Sequence, residues 1–387
     1  MVFHVHFSPY ESSGEIRRIR NIHKSILDNI TSDVLEVSFV PTPLFFKKSV
    51  RFKLGSKKKI VFPTIPFAEK SVFLKRIGSI YMSVMVFVLC LIYSPTHIVG
   101  EYSIAWQALR FINKKTKCII DVHGASAEEY EYSSSDFDIN KYDYLNYLEF
   151  QGMKRANLVI CQSEEMKRYL LSKYSFLEVD KIVPFRCSAD NEKFKVINFD
   201  SESLRRQLGF SGDDLIFVYS GGLMKWQKIE LSLKIFKQFR QKYTQAKFLL
   251  LTKEVESACS LAEEYCKDYI DSIKVISVKF DEVAKYLNIC NVGFLIRDNV
   301  IMNAVAFPTK LAEYMMCGLP VISSEVAEKW IEDNKYIYKI TDNLIDVEDL
   351  KLFIENVDKI SVSLFANSHL SLKKDQEILS SILKRLN

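Results

Sequence analysis

The signature motifs of several large enzyme classes are missing from this sequence of 387 residues. It has no HExxH zinc-binding helix, no GxSxG nucleophile elbow, no Walker phosphate loop and no set of cysteines at zinc-binding spacing. An acidic DxD pair at a strand end is missing as well, because the DFD of Asp136 to Asp138 lies in a polar loop. We therefore expect no bound metal ion.

Paired cysteines and a secretion signal are missing too. None of the eight cysteines stands in a CxxC pair, and most have apolar neighbours, so we interpret them as reduced core thiols of a cytosolic protein. The N-terminal residues MVFHVHFSPY contain no basic leader followed by a long apolar run, so no signal peptide is predicted. The cysteines are Cys90, Cys118, Cys161, Cys187, Cys259, Cys266, Cys290 and Cys317.

The composition is that of a folded protein with two domains. Hydrophobic residues make up 48% of the chain, which is ample for a packed interior and too much for disorder. The length exceeds what one core usually fills, so two domains are expected. The formal net charge of +5 is mild, and it permits an anionic partner without requiring nucleic acid.

Short apolar runs alternate with helical patterns in both halves of the chain. The runs are VFHVHF, VLEVSFV, HIVGE, CIIDVHG and ANLVICQS, then LIFVYSGG, KFLLLT, IKVISV, VGFLI and LPVISS. Such alternation predicts parallel, doubly wound α/β sheets. The stretch KIVPFRCSADNEKFKV looks like a crossing between domains. We therefore predict one domain at 1–195, a second at 196–365 and a final helical segment at 366–387.

The segment Asn291–Ser323 has the pattern of a ligand site. It reads as a buried strand, a loop, a helix beginning near Pro308, a glycine turn and a second buried strand. The unpaired N–H groups and the dipole at a helix start favour a phosphate-bearing ligand. Phe307, Thr309 and Lys310 offer such N–H groups, so we predict that they bind the phosphates of a donor.

With Glu313 five residues into this helix, the segment resembles the donor-nucleotide signature of family 4 glycosyltransferases. That family has the GT-B fold, two Rossmann-like doubly wound domains facing across a cleft. The resemblance implies a UDP- or GDP-linked sugar donor, a Glu313 contact to the ribose hydroxyls, retention at the anomeric carbon, and a last helix that crosses back to the first domain. The family's first glutamate falls at Val305 here, which leaves the sugar to other polar residues such as Asp298 and Asn303.

The loop SGGLMKWQK is the second part of the predicted donor site. Gly221 and Gly222 let the backbone approach a ligand closely, although a tight strand-to-helix turn needs such glycines too. Gly222 occupies the position of an arginine that the family carries in this loop. We therefore expect Lys225, and after it Lys228, to meet the charge of the diphosphate.

Two further loops follow predicted strands of the second domain. The loop Thr252–Val255, TKEV, is predicted to be a solvated turn. Arg297 follows the strand VGFLI, and it pairs either with phosphate or with its acidic neighbour Asp298. Neither loop identifies a ligand by itself.

In the first domain, His123 follows the buried strand of CIIDVHG. A lone histidine is more often structural, but the motif resembles the family's strand-end histidine, which contacts the donor sugar or phosphate. Gly14 lies in the first strand-to-helix turn and allows close approach of the backbone to a ligand. The acids Glu101, Glu128 and Glu129 either bind acceptor hydroxyls or belong to solvated turns and helix starts.

A basic and aromatic segment, Pro43–Pro63, contains no acidic residue. Such a segment suits an anionic membrane surface, nucleic acid, or simply solvent. We favour the inner face of a membrane and no nucleic acid, because the resemblance implies lipid-linked acceptors. The basic residues are Lys47, Lys48, Arg51, Lys53, Lys57, Lys58 and Lys59.

The run Ile77–Tyr93 carries no charge and is close to the minimum for a membrane span. Gly78, Ser79 and Ser83 weaken it as a span, and a predicted strand follows at once. We therefore expect a buried helix packed beneath the first sheet.

These patterns predict a glycosyltransferase that moves a sugar from a nucleotide-sugar donor to a glycan or a lipid-linked glycan. His123, Lys225 and Glu313 are the predicted catalytic residues, and no metal or other cofactor is expected. The resemblance further implies a role in bacterial surface polysaccharide, such as capsule or O-antigen, at the cytoplasmic face of the inner membrane. A non-catalytic subunit that binds sugar nucleotides is the alternative, because the family's first glutamate is replaced by Val305.

Overall fold

A computed structural model describes most of the chain as two compact units. The first unit contains Met1–Arg186 and Gln376–Asn387, and the second contains Cys187–Asp375. The described residues are 1–7, 14–30, 33–45, 58–65, 71–101, 107–186, 188–331, 335–341 and 344–386. Of the seven cysteines among them, Cys90 and Cys259 are half-buried, the others are buried, and all are free thiols.

The first unit is built on a seven-stranded sheet with the order β3-β2-β1-β4-β5-β6-β7. Each neighbouring pair is parallel. The described residues of the strands are almost all buried, as expected for a sheet with helices on both faces. The strands are β1 Val2–Phe7, β2 Val34–Val40, β3 Lys58–Pro63, β4 His97–Glu101, β5 Lys117–Val122, β6 Leu158–Cys161 and β7 Ile182–Pro184.

Helices connect these strands, and side-chain caps begin several of them. Ser163 accepts the Met166 N–H at 2.9 Å, and Asp138 accepts the Asn140 N–H at 2.9 Å. The described helices of the first unit are Gly14–Asn29, Thr42–Phe45, Val72–Tyr93, Ser126–Ser133, Ile139–Arg155 and Glu164–Lys173, with a 3-10 turn at Val179–Lys181.

The second unit is built on a six-stranded sheet with the order β10-β9-β8-β11-β12-β13, again with parallel pairs. Alternate residues of β8 pack on opposite faces: Ile216 and Val218 join one buried cluster, and Phe217 and Tyr219 join the other. The strands are β8 Leu215–Ser220, β9 Ala246–Leu251, β10 Ile273–Ile276, β11 Val292–Leu295, β12 Val321–Ser324 and β13 Ile337–Ile340.

The helices of the second unit include the one predicted to begin near Pro308. Pro308 is its N-cap residue, and the helix spans Thr309–Met316. The others are Ser201–Gln207, Ile229–Lys242, Val255–Cys266, Val283–Asn288, Ile301–Val305, Val347–Asn356 and Lys359–His369. Shorter 3-10 turns lie at Lys225–Gln227, Lys267–Ser272, Phe280–Glu282 and Glu325–Lys329, and a last helix spans Leu372–Leu386.

The structure divides the chain after Arg186, whereas the predicted boundary was 195/196. Phe185 is buried and its N–H donates to the Cys161 carbonyl at 2.7 Å, so the first unit continues to this point. Phe194, nine residues on, is already part of a core cluster of the second unit. The return to the first unit comes at Gln376 rather than at residue 366, and there the Asn29 amide donates to Ser380 Oγ at 2.8 Å.

The helix Val72–Tyr93 is buried on one face only. Met82, Val86 and Leu89 are buried, but Phe73 and Leu91 are 69% and 66% exposed. The prediction of a buried helix is therefore wrong for its outer face. The hydropathy of the run is high all round, so sequence alone did not distinguish the two faces.

Candidate functional site

The order of the strands in the second sheet reverses between β8 and β11. Ligands of open parallel sheets bind at the carboxyl ends of the strands where such a reversal occurs. Two loops leave the sheet there: the glycine loop, which we define as Gly221–Gln227, and the loop that begins with Arg297 and Asp298. The helix Thr309–Met316 belongs to the same edge, because Tyr314 on it accepts the Ser220 N–H at 2.7 Å.

The Lys310 side chain lies beneath the glycine loop. Its Nζ donates to the Tyr219 hydroxyl at 3.0 Å and to Gln227 Oε1 at 2.9 Å, and it lies 4.1 Å from the centroid of the Tyr219 ring. Gly221 has φ of 145°, and a Cβ on it would lie 2.5 Å from Lys310 Cε and Nζ. The backbone angle therefore favours glycine at 221, and any Cβ there would have to displace the end of the Lys310 side chain.

Arg297 brings a second cation to this edge. Its guanidinium lies 5.6 Å from the Trp330 ring centroid, and its buried Nε has no hydrogen-bond partner in the described part of the chain. Burial lowers the pKa of Arg297 to about 10. Its backbone is held by the Ser324 hydroxyl, which accepts the Arg297 N–H at 3.1 Å.

Arg297 disfavours the charged form of Lys310. Burial, and then the positive charge of Arg297, lower the pKa of Lys310 well below its usual value, and Glu313 offsets part of this. Across the described residues, neither cation forms an ion pair with a carboxylate. A buried charge without a counter-ion is costly, so this arrangement favours an anionic ligand that supplies the missing charge.

The rest of the glycine loop is held by two side chains that the sequence did not indicate. The Tyr219 hydroxyl donates to the Gly222 carbonyl. Glu254 Oε1 accepts the Leu223 N–H at 3.1 Å. The loop Thr252–Val255 is thus not a simple solvated turn, because its glutamate binds the backbone of the glycine loop.

The predicted phosphate-binding lysines of this loop have different surroundings. Lys228 is left-handed, with φ of 48°, and its Nζ pairs with Asp298 Oδ1 at 2.9 Å. The sequence left phosphate and Asp298 as alternative partners of Arg297. In the structure, the Asp298 carboxylate pairs with Lys228. Lys225 is exposed and begins the 3-10 turn Lys225–Gln227. Their roles toward a ligand stay predictions.

The residues between β11 and the helix pack inward. Asn303 is 1% exposed, and its Nδ2 donates to the Asp298 carbonyl at 2.9 Å, so this amide group holds the loop. Trp330 Nε1 donates to the Asn303 carbonyl at 2.9 Å. Phe307 is buried in the core, and so is Val305, which stands where the family resemblance places a glutamate.

The start of the helix Thr309–Met316 has no side-chain cap. Its first N–H groups therefore lack the partner that a capping serine or aspartate would supply. Glu313 lies in the second turn and is 6% exposed. A buried carboxylate at this edge suits a hydroxyl donor such as a ribose, which is the contact that the family resemblance implies.

In the first unit, the strand order reverses between β1 and β4, and a polar cluster lies beside this point. His123 follows β5, and its Nε2 lies 2.6 Å from Asp121 Oδ2 and 2.9 Å from Glu101 Oε2. Arg18 Nε donates to Asp121 Oδ2 at 2.7 Å. His4 Nε2 contacts the other oxygen of Glu101. Glu101 is 2% exposed, so its carboxylate is engaged within the unit.

The electrostatics of this cluster keep His123 cationic at neutral pH. Burial alone would lower the pKa of His123, but Asp121 and then Glu101 outweigh it and raise the pKa to about 10. Burial would raise the pKa of Glu101, but His4 and His123 hold it well below its usual range. An imidazolium held by two carboxylates can donate hydrogen bonds or stabilise negative charge.

The polar cluster continues along β1. His6 Nε2 lies 2.9 Å from Glu36 Oε1, and His4 Nδ1 lies 3.0 Å from His23 Nδ1. Burial, and then His4, lower the pKa of His23 to about 4, so His23 is neutral at pH 7. Burial would raise the pKa of Glu36, but His6 and Lys59 bring it down to about 2.

Glu101, Asp121 and His123 offer one ligand atom each within 4.8 Å of one another, a spacing that a metal ion could use. The donor set does not favour one. The Arg18 guanidinium forks onto Asp121, and the cationic His123 donates its Nε2 proton to the carboxylates rather than offering a lone pair. The sequence-based expectation of no metal stays a prediction.

The other predicted residues of the first unit have structural partners. Glu128 Oε1 accepts from the Tyr169 hydroxyl and from Lys173 Nζ, the latter at 3.2 Å. The Glu129 carboxylate lies against Gly124, where a Cβ would come within 2.0 Å of its Oε1. Gly14 is the first residue of its helix. These contacts give Glu128 and Glu129 local roles, and acceptor binding by them stays a prediction.

The predicted basic surface lies mostly outside the described residues. This applies to Lys47, Lys48, Arg51, Lys53 and Lys57, and to the side chain of Lys58. Lys59 is described, and its Nζ donates to the buried Glu36 Oε1 at 2.8 Å. It is therefore half-buried and paired, in contrast to the predicted membrane-facing position.

Comparison with known proteins agrees with this architecture. Residues 200–361 match the family described as Glycosyl transferases group 1. Similar solved structures include HepE from Anabaena in complex with UDP, with 13% identity, a TM-score of 0.69 and 99% of each chain covered. Sucrose-phosphate synthase from Thermosynechococcus elongatus has 14% identity and a TM-score of 0.68, covering 100% of this chain and 99% of its own.

A third similar structure is WaaG, a glycosyltransferase involved in lipopolysaccharide biosynthesis, with 11% identity, a TM-score of 0.68, and 98% and 99% of the two chains covered. Among curated protein sequences, none matches the chain. The predicted fold class is confirmed: the chain has the GT-B fold, with two doubly wound parallel sheets. Its second unit carries a glycosyl transferases group 1 domain, which supports a glycosyltransferase.

Proposed function

We propose that this chain transfers a sugar from a UDP- or GDP-linked donor to a glycan or a lipid-linked glycan. The observation that carries the proposal is the pair Arg297 and Lys310, two half-buried basic side chains with no ion-pair partner in the described residues, at the switch edge of the second sheet. A diphosphate supplies two negative charges to this edge. The family match over residues 200–361 and the UDP bound by HepE support the same ligand class.

The cations have a direct role in the proposed reaction. When the bond between the anomeric carbon and the diphosphate oxygen breaks, negative charge develops on the leaving diphosphate. Lys310, Arg297 and the uncapped N–H groups at the start of Thr309–Met316 stabilise that charge. The exposed Lys225 adds to it from the glycine loop. This arrangement performs the charge stabilisation that a metal ion performs in other transferases, so the proposal includes no metal.

The first unit contributes His123 in this proposal. Its imidazolium is oriented by Asp121 and Glu101, which act as positioning residues. The family resemblance implies that this histidine contacts the sugar or the phosphate of the nucleotide-sugar donor. A cationic imidazolium can donate a hydrogen bond to either group. Glu313 binds the ribose hydroxyls, and retention at the anomeric carbon follows the family 4 resemblance.

The biological setting is proposed from the neighbours and the resemblance. WaaG acts in lipopolysaccharide biosynthesis, and the resemblance to family 4 implies a surface polysaccharide such as capsule or O-antigen. We place the protein at the cytoplasmic face of the inner membrane, where lipid-linked acceptors are made.

Val305 favours a second candidate function. This side chain is 2% exposed and apolar at the position where the family resemblance expects the first glutamate. A chain that has lost a group near the reacting carbon and kept the diphosphate site is a non-catalytic binder of sugar nucleotides. The two candidates share the ligand and differ in turnover.

Calorimetric titration with UDP and GDP tests the shared part of both proposals. Arg297→Gln and Lys310→Gln should each weaken binding by about 10- to 100-fold, because each removes a charge-assisted contact. Lys274→Gln, at an exposed lysine on β10, is the matched control and should bind normally. If neither nucleotide binds the wild-type protein, the proposal fails.

Release of UDP or GDP from sugar nucleotides in the presence of a bacterial lipid extract then separates the two candidates. Turnover that depends on the extract supports the transferase. Tight nucleotide binding with no release from any UDP- or GDP-linked hexose supports the non-catalytic binder.

A further inference from the structure

The inner face of the helix Val72–Tyr93 combines apolar residues with two serines, whereas its outer face is largely apolar. Ser79 and Ser83 are fully buried. Ser83 Oγ donates to the Gln107 carbonyl at 2.6 Å, and Ser79 Oγ donates to Gln107 Oε1 at 3.1 Å. These bonds fix the helix to the rest of the first unit and satisfy its buried hydroxyls.

The outward side of this helix forms an apolar stripe. Its members recur every three or four residues, so they share one helical face. Phe73, Leu91 and Ile92 are each at least 65% exposed. A continuous apolar face of this length is uncommon on a soluble surface and marks an interaction site. The stripe consists of Phe73, Ile77, Ile80, Val84, Val88, Leu91 and Ile92.

Length and composition alone would let the helix cross a membrane. Its contacts argue for a different placement. A third of its most apolar stretch is buried in the protein, and its two serines bond to Gln107. A spanning helix would have to leave these partners, whereas a helix lying flat on a bilayer keeps them.

Two arginines adjoin the stripe. A pocket of about 590 Å³ is lined by Arg76, Ile80, Arg110 and the exposed Asp143 among others, so it opens beside the middle of the stripe and carries two basic groups for one acidic group. The Arg76 guanidinium lies 5.2 Å from the Tyr144 ring centroid. Within the described ranges, neither arginine forms an ion pair. The helix itself contains no acidic residue.

We propose that the stripe lies in the interfacial region of an anionic bilayer and that Arg76 and Arg110 bind the phosphate of a lipid headgroup. Apolar side chains enter the acyl boundary, and the guanidinium groups meet the phosphates at the level of the headgroups. A second copy of the chain is a poorer occupant, because it would bring the same two arginines and only one described carboxylate of this pocket, Asp143, to pair with them. The proposal concerns a surface separate from the donor site.

Cosedimentation with lipid vesicles tests the apolar part. The wild-type protein should bind vesicles of phosphatidylcholine with phosphatidylglycerol. The triple variant Phe73→Ser, Ile80→Ser, Leu91→Ser should lose at least about tenfold in partitioning. The matched control Leu352→Ser, Ile360→Ser, Leu364→Ser changes three apolar residues of the second unit with similar total exposure and should bind as wild type.

The charged part has its own variants. Arg76→Gln with Arg110→Gln should lose the preference for vesicles with phosphatidylglycerol over pure phosphatidylcholine, because only the phosphate and headgroup charge contacts are removed. Arg206→Gln with Lys274→Gln, two exposed cations of the second unit, should keep that preference. Equal loss in both double variants would mean a non-specific charge effect and would overturn the assigned pocket.

Tryptophan fluorescence quenching measures how deeply the stripe enters the bilayer. Leu91→Trp fluorescence should be quenched by vesicles with brominated acyl chains, and Leu364→Trp fluorescence should not.

The stripe assignment is overturned if the triple serine variant binds vesicles like wild type, or if that variant loses only a concentration-dependent dimer. It is also overturned if the wild-type protein resists extraction by alkaline carbonate, as a spanning protein does. The same variants should bind UDP or GDP as the wild-type protein does. A failure of membrane binding can then be distinguished from a failure of the proposed transferase activity.

Discussion

Lys310 occupies the space that a side chain at Gly221 would need. The lysine Nζ is 2.5 Å from the position of a Cβ on this glycine, and it bonds to Tyr219 and Gln227 on the same loop. The glycine loop and the start of the helix Thr309–Met316 are thus joined by the half-buried Lys310 side chain. Gly221 leaves room for the Lys310 ammonium group at the edge of the sheet. This requirement for glycine is more specific than the need for a tight turn.

Gly221→Ala tests this relationship. The added methyl group would collide with Lys310, and φ of 145° is unfavourable for alanine. We expect a loss of about 1–3 kcal/mol in the free energy of unfolding, together with weaker UDP or GDP binding. Chemical denaturation followed by far-UV circular dichroism and calorimetric titration measure the two effects.

Gly212→Ala is the matched control. A Cβ at this position has no heavy atom within 4 Å, and no positive φ constrains it. It should leave both stability and nucleotide affinity unchanged. Should Gly221→Ala behave like this control, the lysine would have room to move, and the coupling of the loop to the helix would be refuted.

Much of the fold could be predicted because its signals are local. Alternating apolar runs predicted the two parallel sheets, and the Pro308 region predicted a helix start next to the carboxyl end of a strand. The glycine pair predicted the loop after β8. Each of these patterns lies within a few consecutive residues, where periodicity and turn chemistry act directly.

The remainder depends on residues that are distant in the chain. Lys310 was expected to offer its N–H, but its side chain became a central cation only through Tyr219 and Gln227, which lie more than 80 positions away. Similarly, the uniform hydropathy of the helix Val72–Tyr93 concealed which face is buried. The buried face is the one that packs Met82, Val86 and Leu89 and whose two serines donate to the carbonyl and amide oxygens of Gln107.

Nucleotide binding should be coupled to proton uptake at Lys310. Burial and Arg297 lower the pKa of Lys310 in the free protein, and a bound diphosphate favours the charged lysine and raises it. Affinity should therefore fall as pH rises through the pKa of the free protein. Calorimetric titration in buffers of different ionisation enthalpy should detect the proton, and Lys310→Gln should abolish it. Identical enthalpies in all buffers would contradict this coupling.

The same shift has an opposite consequence for stability. Because the folded state holds Lys310 with a lowered pKa, the unfolded state binds more protons between that pKa and the usual value of 10.5. The free energy of unfolding should therefore rise with pH in this window. Lys310→Gln should remove this contribution, visible as the difference between the two stability profiles.

The stabilising contribution of His123 to the first unit should be lost at high pH. Its pKa is raised from 6.5 to about 10, so the folded state binds the extra proton between these values. The contribution is fully present below pH 6.5 and is lost as pH rises toward about 10, with a slope of at most about 1.4 kcal/mol per pH unit. His123→Gln should flatten this difference and cost about 1–3 kcal/mol at neutral pH.

His369→Gln provides the comparison for this histidine. His369 is exposed, stacks on Phe365 in the second unit and has no carboxylate neighbour among its described contacts. Its replacement should not change the pH profile above neutrality. If His123→Gln shows the wild-type profile, the imidazolium between Asp121 and Glu101 does not exist in solution.

Glu313 has two possible contributions to nucleotide binding, and they predict different results. As a ribose ligand it should favour UDP over 2′-deoxy-UDP and 3′-deoxy-UDP. As a neighbouring charge it keeps Lys310 protonated and should act on UDP and pyrophosphate alike. Glutamine is close to glutamate in volume. Glu313→Gln should therefore lower the affinity for UDP by about 10- to 100-fold if a ribose contact is lost.

The pattern across ligands then assigns the role of this buried carboxylate. We expect Glu313→Gln to abolish the discrimination between UDP and its deoxy analogues while pyrophosphate loses little affinity at low pH, where Lys310 is charged in any case. At higher pH, pyrophosphate binding should weaken as well, because the lysine loses its proton more readily without Glu313. Equal losses for all ligands at every pH would rule out a ribose contact and leave Glu313 as an electrostatic partner of Lys310 alone.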